Sequence, residues 1–403
     1  MFKEIISGRR VRLLFFTEAR LGQSDDGKYY SADQSFSYQM FRRYLKIFDK
    51  VLIVARCKVI KKDAVDEKTR VDGNGVSVLP LPHYIGPYQY LITRRKLIRT
   101  LRNYIDSNFD AAMICRVPGT IGTTAAEYLR IKKKPYGVEV VGDPADVFAA
   151  GSFHHPLRPV FRYSTIKSLK AVVRSASASI YVTKDSLQLR YPPGKNQFTT
   201  YASNVMLAPE AFAPEAKRLK GAPPFSIVTV GSLAAMYKSP DVVIEAIAIL
   251  KRNGVNVTLQ WLGDGKYRSK MIQLARQAGV ADRIKFIGNV STAAEVRKYL
   301  DAADLFVLAS RTEGLPRALV EAMARGLPCI GTAIGGIPEL LEEVALVPVN
   351  NPKLFADKIS TFLTTPGLAD GQGARNLKEA RHYALELLEN RRTQFYRYLR
   401  DIS

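Results

Sequence analysis

The chain of 403 residues lacks the features that mark membrane-spanning and disulfide-stabilised proteins. It has no run of roughly 18 or more apolar residues, so we expect no transmembrane helix. Residues 1–10 have no apolar core of the kind found in signal peptides. The three cysteines, Cys57, Cys115 and Cys329, lie far apart and match neither a disulfide framework nor a metal site. These absences predict a cytoplasmic protein.

Acidic residues are also scarce. There are 37 Asp and Glu against 60 Lys and Arg, which gives a formal net charge of +23. Residues 1–200 hold 34 basic and 17 acidic residues, a net charge of +17, whereas the remainder holds 26 and 20, a net charge of +6. The excess in the first half favours an anionic surface or substrate for that half.

What the sequence does contain is a repeated alternation of apolar strands and amphipathic helices, which is typical of an α/β fold. A chain of this length exceeds one typical core, so two domains are expected. The periodicity fades over residues 206–224, which are rich in Pro and Ala and predict a linker. The predicted domains are residues 1–205 and 225–380, followed by a helical segment over residues 381–403.

One stretch of the second domain, residues 311–340, carries the largest group of candidate site residues. It follows an apolar run over residues 304–309, which predicts a buried strand. Pro316 is expected as the first residue of a helix. Gly335-Gly336 opens a second loop, and another helix is predicted to start at Ile337. A helix N-terminus and a Gly-Gly turn therefore meet at the carboxyl edge of a parallel sheet, where α/β proteins bind ligands and free N–H groups favour phosphate.

Within this stretch, Glu313 and Glu321 are separated by seven residues. The Glu pair, Gly314, Pro316, a helix of small residues and the Gly-Gly turn together resemble the signature of family 4 retaining glycosyltransferases. The resemblance implies the GT-B fold: two Rossmann-like doubly wound domains facing across a cleft, with a C-terminal helix that crosses back to the first domain. It also implies that Glu313 lies beside the donor sugar and Glu321 on the ribose hydroxyls. Taken alone, Glu313 would be a helix cap and Glu321 a solvated residue.

The same resemblance implies further donor-binding residues. The segment from Gly231-Ser232 to Lys238-Ser239 is similar to the family's diphosphate loop, with Ser232 in place of an arginine and Ser239 in place of a glycine. Lys238 then faces the diphosphate as a catalytic cation; without the resemblance it would be a solvated loop lysine. The other candidates lie near the nucleotide base and around the helix start: Ile287, Gly288, Asn289, Gly314, Leu315, Pro316, Ala318 and Leu319.

The first domain carries weaker signals. Residues 18–34 predict a polar loop after the first strand, with isolated Gly22 and Gly27 where many relatives have a Gly-Gly pair. Asp143 follows a predicted strand and matches the Asp of the family's His-Asp turn. It is a catalytic candidate that would hold donor or acceptor hydroxyls, or else a helix N-cap. His154-His155 are better explained as a surface loop than as a metal site.

Two basic segments of this domain, residues 94–102 and 162–174, predict amphipathic helices. A basic amphipathic helix can lie on an anionic bilayer, or it can pack on the core and leave its charges in solvent. The charge of residues 1–200 makes the two interpretations equally good. In the first of them the protein is peripheral on the inner face of the membrane.

The sequence thus predicts a retaining, hexosyltransferase-type enzyme that moves a sugar from a nucleotide sugar to a glycan or lipid-linked glycan in bacterial-type cell-surface polysaccharide synthesis. No Asp-x-Asp segment is present to hold a metal on the diphosphate, so no metal or other cofactor is expected. One alternative is a non-enzymatic nucleic-acid-binding protein, although no finger, KH or RNP pattern occurs and no nucleic-acid partner is expected. The other is a glycoside hydrolase with a carboxylate pair, which would not need a phosphate-binding helix start.

Overall fold

The computed structural model describes residues 10–31, 36–61, 65–147 and 158–403. It has an α/β fold with two largely parallel sheets, as the sequence predicts. The first sheet lies within residues 12–201 and the second within residues 225–347. None of the helices in these ranges is both long and apolar enough to span a bilayer. Cys57, Cys115 and Cys329 are free thiols.

The first sheet is built from these strands: β1 Arg12–Gln23, β2 Tyr29–Ser31, β3 Lys50–Val59, β4 Val76–Pro82, β5 Ala112–Val117, β6 Gly137–Val140, β7 Ala178–Tyr181 and β8 Phe198–Tyr201. Their order is β4-β3-β1-β5-β6-β7-β8, all parallel, with β2 antiparallel to β1. The helices are α1 Tyr38–Phe41, α2 Gly86–Asp106, α3 Thr120–Ile131, α4 Pro144–Val147, α5 Arg158–Ser175 and α6 Ser186–Arg190.

The second sheet contains β9 Phe225–Val230, β10 Val257–Leu262, β11 Ile284–Gly288, β12 Leu305–Leu308, β13 Cys329–Thr332 and β14 Leu346–Val347. Its order is β11-β10-β9-β12-β13-β14. Strands β10 and β11 are added on one side of β9, and β12 to β14 on the other, so the strand order switches between β9 and β12. That switch point is where an open parallel sheet forms a ligand crevice. The helices are α7 Pro240–Arg252, α8 Arg268–Gln277, α9 Ala293–Ala302, α10 Arg317–Ala324, α11 Pro352–Thr364 and α12 Leu368–Ala380.

The last helix, α13 Leu385–Asp401, returns to the first sheet. A Cβ on Gly137 of β6 would lie 2.4 Å from Leu399 and 2.9 Å from Phe395, so the helix packs directly on the sheet at a residue without a side chain. At the first residue of α13, the Leu385 N–H donates to the Leu207 carbonyl at 2.8 Å. The expected crossing of the chain end back to the first domain is therefore present.

Apolar side chains alternate along the strands of the first sheet, as the pleat requires. Leu13 and Phe15 of β1 belong to the buried cluster that includes α13, whereas Leu14 and Phe16 belong to the cluster under α2, α3 and α5. Both faces of the sheet are thus covered. Its carboxyl edge remains available to carry function.

Three predicted boundaries were wrong. The polar loop expected over residues 18–34 is partly strand, because residues 20–23 of β1 pair with residues 56–59 of β3 and residues 21–23 pair with β2. Pro316 is the N-cap of α10 rather than its first residue. The helix expected from residue 337 is only a 3₁₀ turn, Ile337–Glu339.

The extension of β1 also gives Gly22 a structural role. A Cβ at this position would lie 2.3 Å from the Ile60 side chain, so the glycine allows Ile60 to pack against the strand. Gly27 has a positive φ of 78° in the turn that leads to β2. Gly22 thus lies within a strand of the β1–β2 pair, and Gly27 lies in the turn between the two strands.

Candidate active site

Lys238 lies in the loop that connects β9 to α7. Loop residue Gly231 is fixed by the Trp261 indole, whose Nε1–H donates to the Gly231 carbonyl at 2.8 Å. Residues Met236–Lys238 form a 3₁₀ turn, and Ser239 adopts a left-handed conformation with φ 50° before Pro240 starts the helix. A left-handed residue explains why a glycine is usual at this position. Here Ser239 takes it, and its buried Oγ has no hydrogen-bond partner among the described residues.

Arg311, immediately after β12, secures this loop. Its guanidinium forms two hydrogen bonds to the Asp241 carboxylate, at 3.0 and 2.6 Å, and a third to the Met236 carbonyl at 2.9 Å. Its backbone N–H donates to the Tyr237 carbonyl at 2.7 Å. Bidentate arginine–carboxylate pairs are geometrically specific, so Arg311 sets the position of the turn that carries Lys238.

Glu313 is the partner of Lys238 in this structure. Its Oε1 accepts hydrogen bonds from the Lys238 ammonium and from the Ser310 hydroxyl, the latter at 2.7 Å. The side chains of Lys238 and Glu313 are 13% and 9% exposed. The cation and the carboxylate are therefore held together in a largely desolvated position, where an approaching anion would compete for the lysine.

The Gly-Gly turn, Gly335-Gly336, packs against the backbone of Glu313 and Gly314. A Cβ on Gly335 would lie 2.0 Å from the Glu313 carbonyl oxygen, and the Gly336 N–H donates to the Gly314 carbonyl at 2.7 Å. Any side chain at Gly335 would push the two loops apart. The turn therefore acts by allowing close backbone approach between the loops that follow β12 and β13.

The start of α10 faces the same region. The first-turn N–H groups of this helix have no intrahelical partner and favour an anion. Glu321, one turn further along, is half-buried, and burial raises the pKa of its carboxyl above the usual 4.5, while Arg317 and Arg297 lower it by less. The helix thus presents N–H donors and a desolvated carboxyl along one side.

These parts enclose one open cleft of about 560 Å³. Its walls include most of the residues selected from the sequence: Gly231, Ser232, Lys238, Asn289, Glu313, Leu315, Pro316, Ala318 and Glu321. Ile287 lines an adjoining pocket together with Asn289. Gly288 lies beside them, with its carbonyl accepting from the Gly263 N–H at 2.8 Å. The Leu319 side chain is fully buried, so only its backbone is positioned to serve the cleft.

Ser232 lines the cleft and also forms hydrogen bonds within its own loop. Its hydroxyl accepts a hydrogen bond from the Ala234 N–H at 3.1 Å and lies 3.4 Å from the Asp264 carbonyl. The side chain therefore stabilises its own loop. Arg317, on the first turn of α10, lines the cleft together with Lys238 and has no ion-pair partner among the described residues. Lys238 is thus not the only side-chain cation that borders this cleft.

Asp143 lies at the carboxyl edge of the first sheet, on the other side of the cleft. It is 5% exposed, and its carboxylate accepts from the Arg190 guanidinium, the Tyr191 hydroxyl and, at 2.7 Å, the Ala145 N–H at the start of α4. Both oxygens are thus engaged, which favours the N-cap interpretation over direct catalysis. Asp143 and Arg190 border a small pocket with Glu313 and Gly314.

Glu339 joins the two domains next to this pocket. Its carboxylate accepts hydrogen bonds from the N–H groups of Lys184, Asp185 and Ser186 at 2.8, 3.1 and 3.0 Å. A residue of the second domain thereby caps α6 of the first. His154-His155 lie outside the described residues. Within the described ranges, no group of three or more His, Cys, Asp or Glu side chains could hold a metal ion.

Residues 214–381 match the family model of the glycosyl transferases group 1. The match places the second domain, rather than the whole chain, in this family. The matched segment contains the whole second sheet and the cleft residues around Lys238 and Glu313. The two alternatives, a nucleic-acid-binding protein and a glycoside hydrolase, are therefore not supported.

Relatives of this glycosyltransferase agree with the assignment. Protein CapJ of Staphylococcus aureus is 29% identical over 385 residues, which cover 94% of this chain and 93% of CapJ. The putative colanic acid biosynthesis glycosyltransferase WcaL of Escherichia coli is 37% identical over 150 residues, 35% of this chain and 36% of WcaL. The structure of Anabaena HepE in complex with UDP-glucose superposes with a TM-score of 0.61 at 15% identity, covering 96% of this chain and 99% of HepE. The last comparison bears on the fold alone.

Sequence reasoning about this glycosyltransferase missed Arg311, Arg317, Arg190 and Glu339. Arg317 stands inside the Glu313–Glu321 segment, so its place in the motif was a usable signal. Arg311 and Glu339 act through contacts with residues 70 and more than 150 positions away in sequence. No local sequence pattern predicts contacts between residues so far apart in the chain.

Proposed function

We propose that this glycosyltransferase transfers a hexose from a nucleoside diphosphate sugar with retention of anomeric configuration. The observation that carries the proposal is the Lys238–Glu313 pair beside the start of α10, in a cleft that also holds Glu321. The diphosphate would displace Glu313 from Lys238 and accept hydrogen bonds from the first turn of α10. Glu321 would bind the ribose diol, and Ile287, Gly288 and Asn289 would lie near the base.

In the proposed reaction, the bond between the anomeric carbon and the diphosphate oxygen breaks while the acceptor oxygen bonds to the same face of that carbon. The acceptor proton passes to the departing phosphate oxygen. Lys238, Arg317 and the helix N–H groups stabilise the charge that grows on the leaving group. Glu313, released from Lys238, positions the sugar, and Asp143 acts indirectly by holding Arg190 at the cleft.

The charge on the leaving group is met by side-chain cations and backbone donors, so we propose that no metal and no other cofactor is needed. WcaL, by its name, acts in colanic acid biosynthesis, which supports a role in bacterial cell-surface polysaccharide synthesis. The acceptor would be a glycan or a lipid-linked glycan bound on the basic first domain. The basic segments 94–102 and 162–174 would draw that domain to the anionic cytoplasmic face of the membrane.

The test is incubation of the purified chain with UDP-, GDP-, ADP- and dTDP-sugars, followed by measurement of released nucleoside diphosphate and of the anomeric proton of the product by NMR. Release from one class of donor with retained configuration supports the proposal. An inverted product would contradict retention, and no release from any donor in the presence of membrane or glycan extracts would contradict the activity.

A further inference from the structure

Helices α2 and α5 share an unusual distribution of burial. No side chain is buried over residues 86–96 of α2 or residues 158–168 of α5. The first buried residues are Leu97 and Leu169, after about three turns of helix in each case. The N-terminal half of each helix therefore makes little contact with the core, and only the C-terminal half packs on the sheet.

The two exposed halves lie at the same end of the first domain. In a parallel α/β sheet, crossover helices run opposite to the strands, so their N-termini lie at the carboxyl edge. Helix α3 packs between α2 and α5 on one face of the sheet. Asp143 and Arg190 mark the same edge, where the cleft with the second domain opens.

These exposed halves carry large apolar side chains. On and before α2, Ile85, Tyr88, Leu91 and Ile92 are 55, 76, 66 and 67% exposed; on α5, Val160 and Tyr163 are 60 and 69% exposed. We call these six residues the interfacial rim. Clustered exposed apolar residues mark an interaction surface rather than ordinary surface composition.

The charge next to the rim indicates what covers it. Tyr88, Ile92, Arg95 and Arg99 are spaced by four, three and four residues, so they form one stripe along α2. The stripe is apolar at the N-terminal end and basic beyond it. Residues 86–105 and 158–175 contain no Asp or Glu. Apolar side chains next to basic residues match acyl chains next to lipid phosphates.

We propose that the interfacial rim inserts into the acyl-chain boundary of a bilayer that contains anionic lipid, while Arg95 and Arg99 contact headgroup phosphates. This inference rests on the proposed function, in which the first domain binds the acceptor. Insertion of the rim would place that side of the cleft at a membrane. The inference goes beyond electrostatic attraction of the basic segments, since it assigns insertion to apolar side chains, and all of these except Tyr163 lie outside those segments.

The test uses flotation of the full chain with vesicles of phosphatidylglycerol and phosphatidylcholine, and with vesicles of phosphatidylcholine alone. The variant Y88S/I92S is compared with R95Q/R99Q and with the control I131S, since Ile131 is 68% exposed at the opposite end of α3. We expect wild type and I131S to bind the anionic vesicles well above the neutral ones. Y88S/I92S should bind on the order of tenfold or more weakly, the effect of losing buried apolar area, and R95Q/R99Q should also bind more weakly.

Equal binding of wild type to both vesicle types would overturn the anionic-lipid partner. Unchanged binding of Y88S/I92S, with loss only in R95Q/R99Q, would show electrostatic adsorption and overturn insertion. Loss of self-association in Y88S/I92S, with no vesicle binding by wild type, would assign the rim to a protein contact and also overturn it.

A second readout reports insertion directly. The single native tryptophan, Trp261, is 1% exposed in the second domain, so its emission should not respond to vesicles. Emission from the I92W variant should shift to shorter wavelength with anionic vesicles; no shift despite binding would contradict insertion. Nucleotide binding in solution is measured on the same variants. It should be unaltered in Y88S/I92S, and its absence in wild type would count against the proposed function without changing the vesicle result.

Discussion

Lys238 has one partner in the structure and a second partner in the proposed reaction. It is ion-paired with Glu313 at the cleft, and in the proposed reaction it meets the diphosphate of the donor. Charge on the diphosphate grows as the sugar leaves, so loss of Lys238 should affect the transition state more than donor binding. We expect Lys238→Ala to lower kcat by about a hundredfold or more, the scale for losing one preorganised donor.

Steady-state kinetics with the donor found by the release assay would measure this effect. Lys285→Ala, an exposed lysine on β11 outside the cleft, is the control. Because the change leaves Glu313 without its cation, folding is checked by circular dichroism. A folded Lys238→Ala enzyme with unchanged turnover would remove Lys238 from the mechanism.

Glu321 is a carboxyl whose burial disfavours its charge. Its pKa is raised in the folded state, so the folded protein keeps this proton at pH values where the unfolded chain has lost it. Stability therefore falls as pH rises from about 4.5, the usual pKa, through the raised folded value. Glu321→Gln should be more stable than wild type above this window, and the difference should disappear below it.

Urea unfolding at a series of pH values measures the difference. The same variant should raise KM for the donor with little change in kcat, because ribose binding is similar in ground and transition states. A stability difference that is independent of pH would show that ionisation of the Glu321 carboxyl does not destabilise the folded protein. An unaltered KM would argue against ribose binding.

Single residues also show the limit of reading the sequence. The resemblance identified Glu313, Glu321 and Lys238 as members of one site, and the structure brings them into one cleft. It could not show that Glu313 and Lys238 bond to each other, since 75 residues separate them in the chain. Asp143 fitted a catalytic motif equally well as a cap, and only its three hydrogen-bond donors distinguish the two.

At the scale of elements, the contact between the turn Ile337–Glu339 and α6 links the domains. The Glu339 carboxylate accepts hydrogen bonds from three N–H groups at the start of α6. Loss of a cap of this type costs about 1 kcal/mol. We therefore expect Glu339→Ala to lower the free energy of unfolding by about that amount and to allow the domains to separate.

Urea unfolding and small-angle scattering measure these two effects, with Glu343→Ala in the neighbouring exposed 3₁₀ turn as the control. A radius of gyration and a stability equal to those of the control would show that the contact does not hold the domains together.

Prediction of strands and helices from the sequence succeeded where the element packs on the core. The strands from β9 to β13 are short apolar runs, and their alternation with helices predicted the second domain. The start of α2 was missed because its first three turns bury no side chain, so they lack the core-facing apolar stripe that marks the rest of the helix. The continuation of β1 beyond residue 17 was missed because polar residues such as Arg20 interrupt it, although Ala19 and Leu21 are buried.

At the scale of the whole molecule, the proposed reaction needs positive charge where the diphosphate leaves. Lys238, Arg317 and the start of α10 would supply it. We propose that these groups act without a metal, so transfer should persist in EDTA. Donor turnover with and without EDTA is the measurement. Complete loss in EDTA with recovery on adding Mn²⁺ would contradict metal independence, while leaving the fold and the family assignment unchanged.

The central claim is that the cleft between β9 and α10 holds the nucleotide sugar. A crystal structure of the chain with the nucleoside diphosphate that it releases tests this most directly. We expect the diphosphate within hydrogen-bonding distance of Lys238 Nζ and of the Ala318 and Leu319 N–H groups, with both ribose hydroxyls on Glu321. A nucleotide bound elsewhere, with the Lys238–Glu313 ion pair still intact, would contradict the claim.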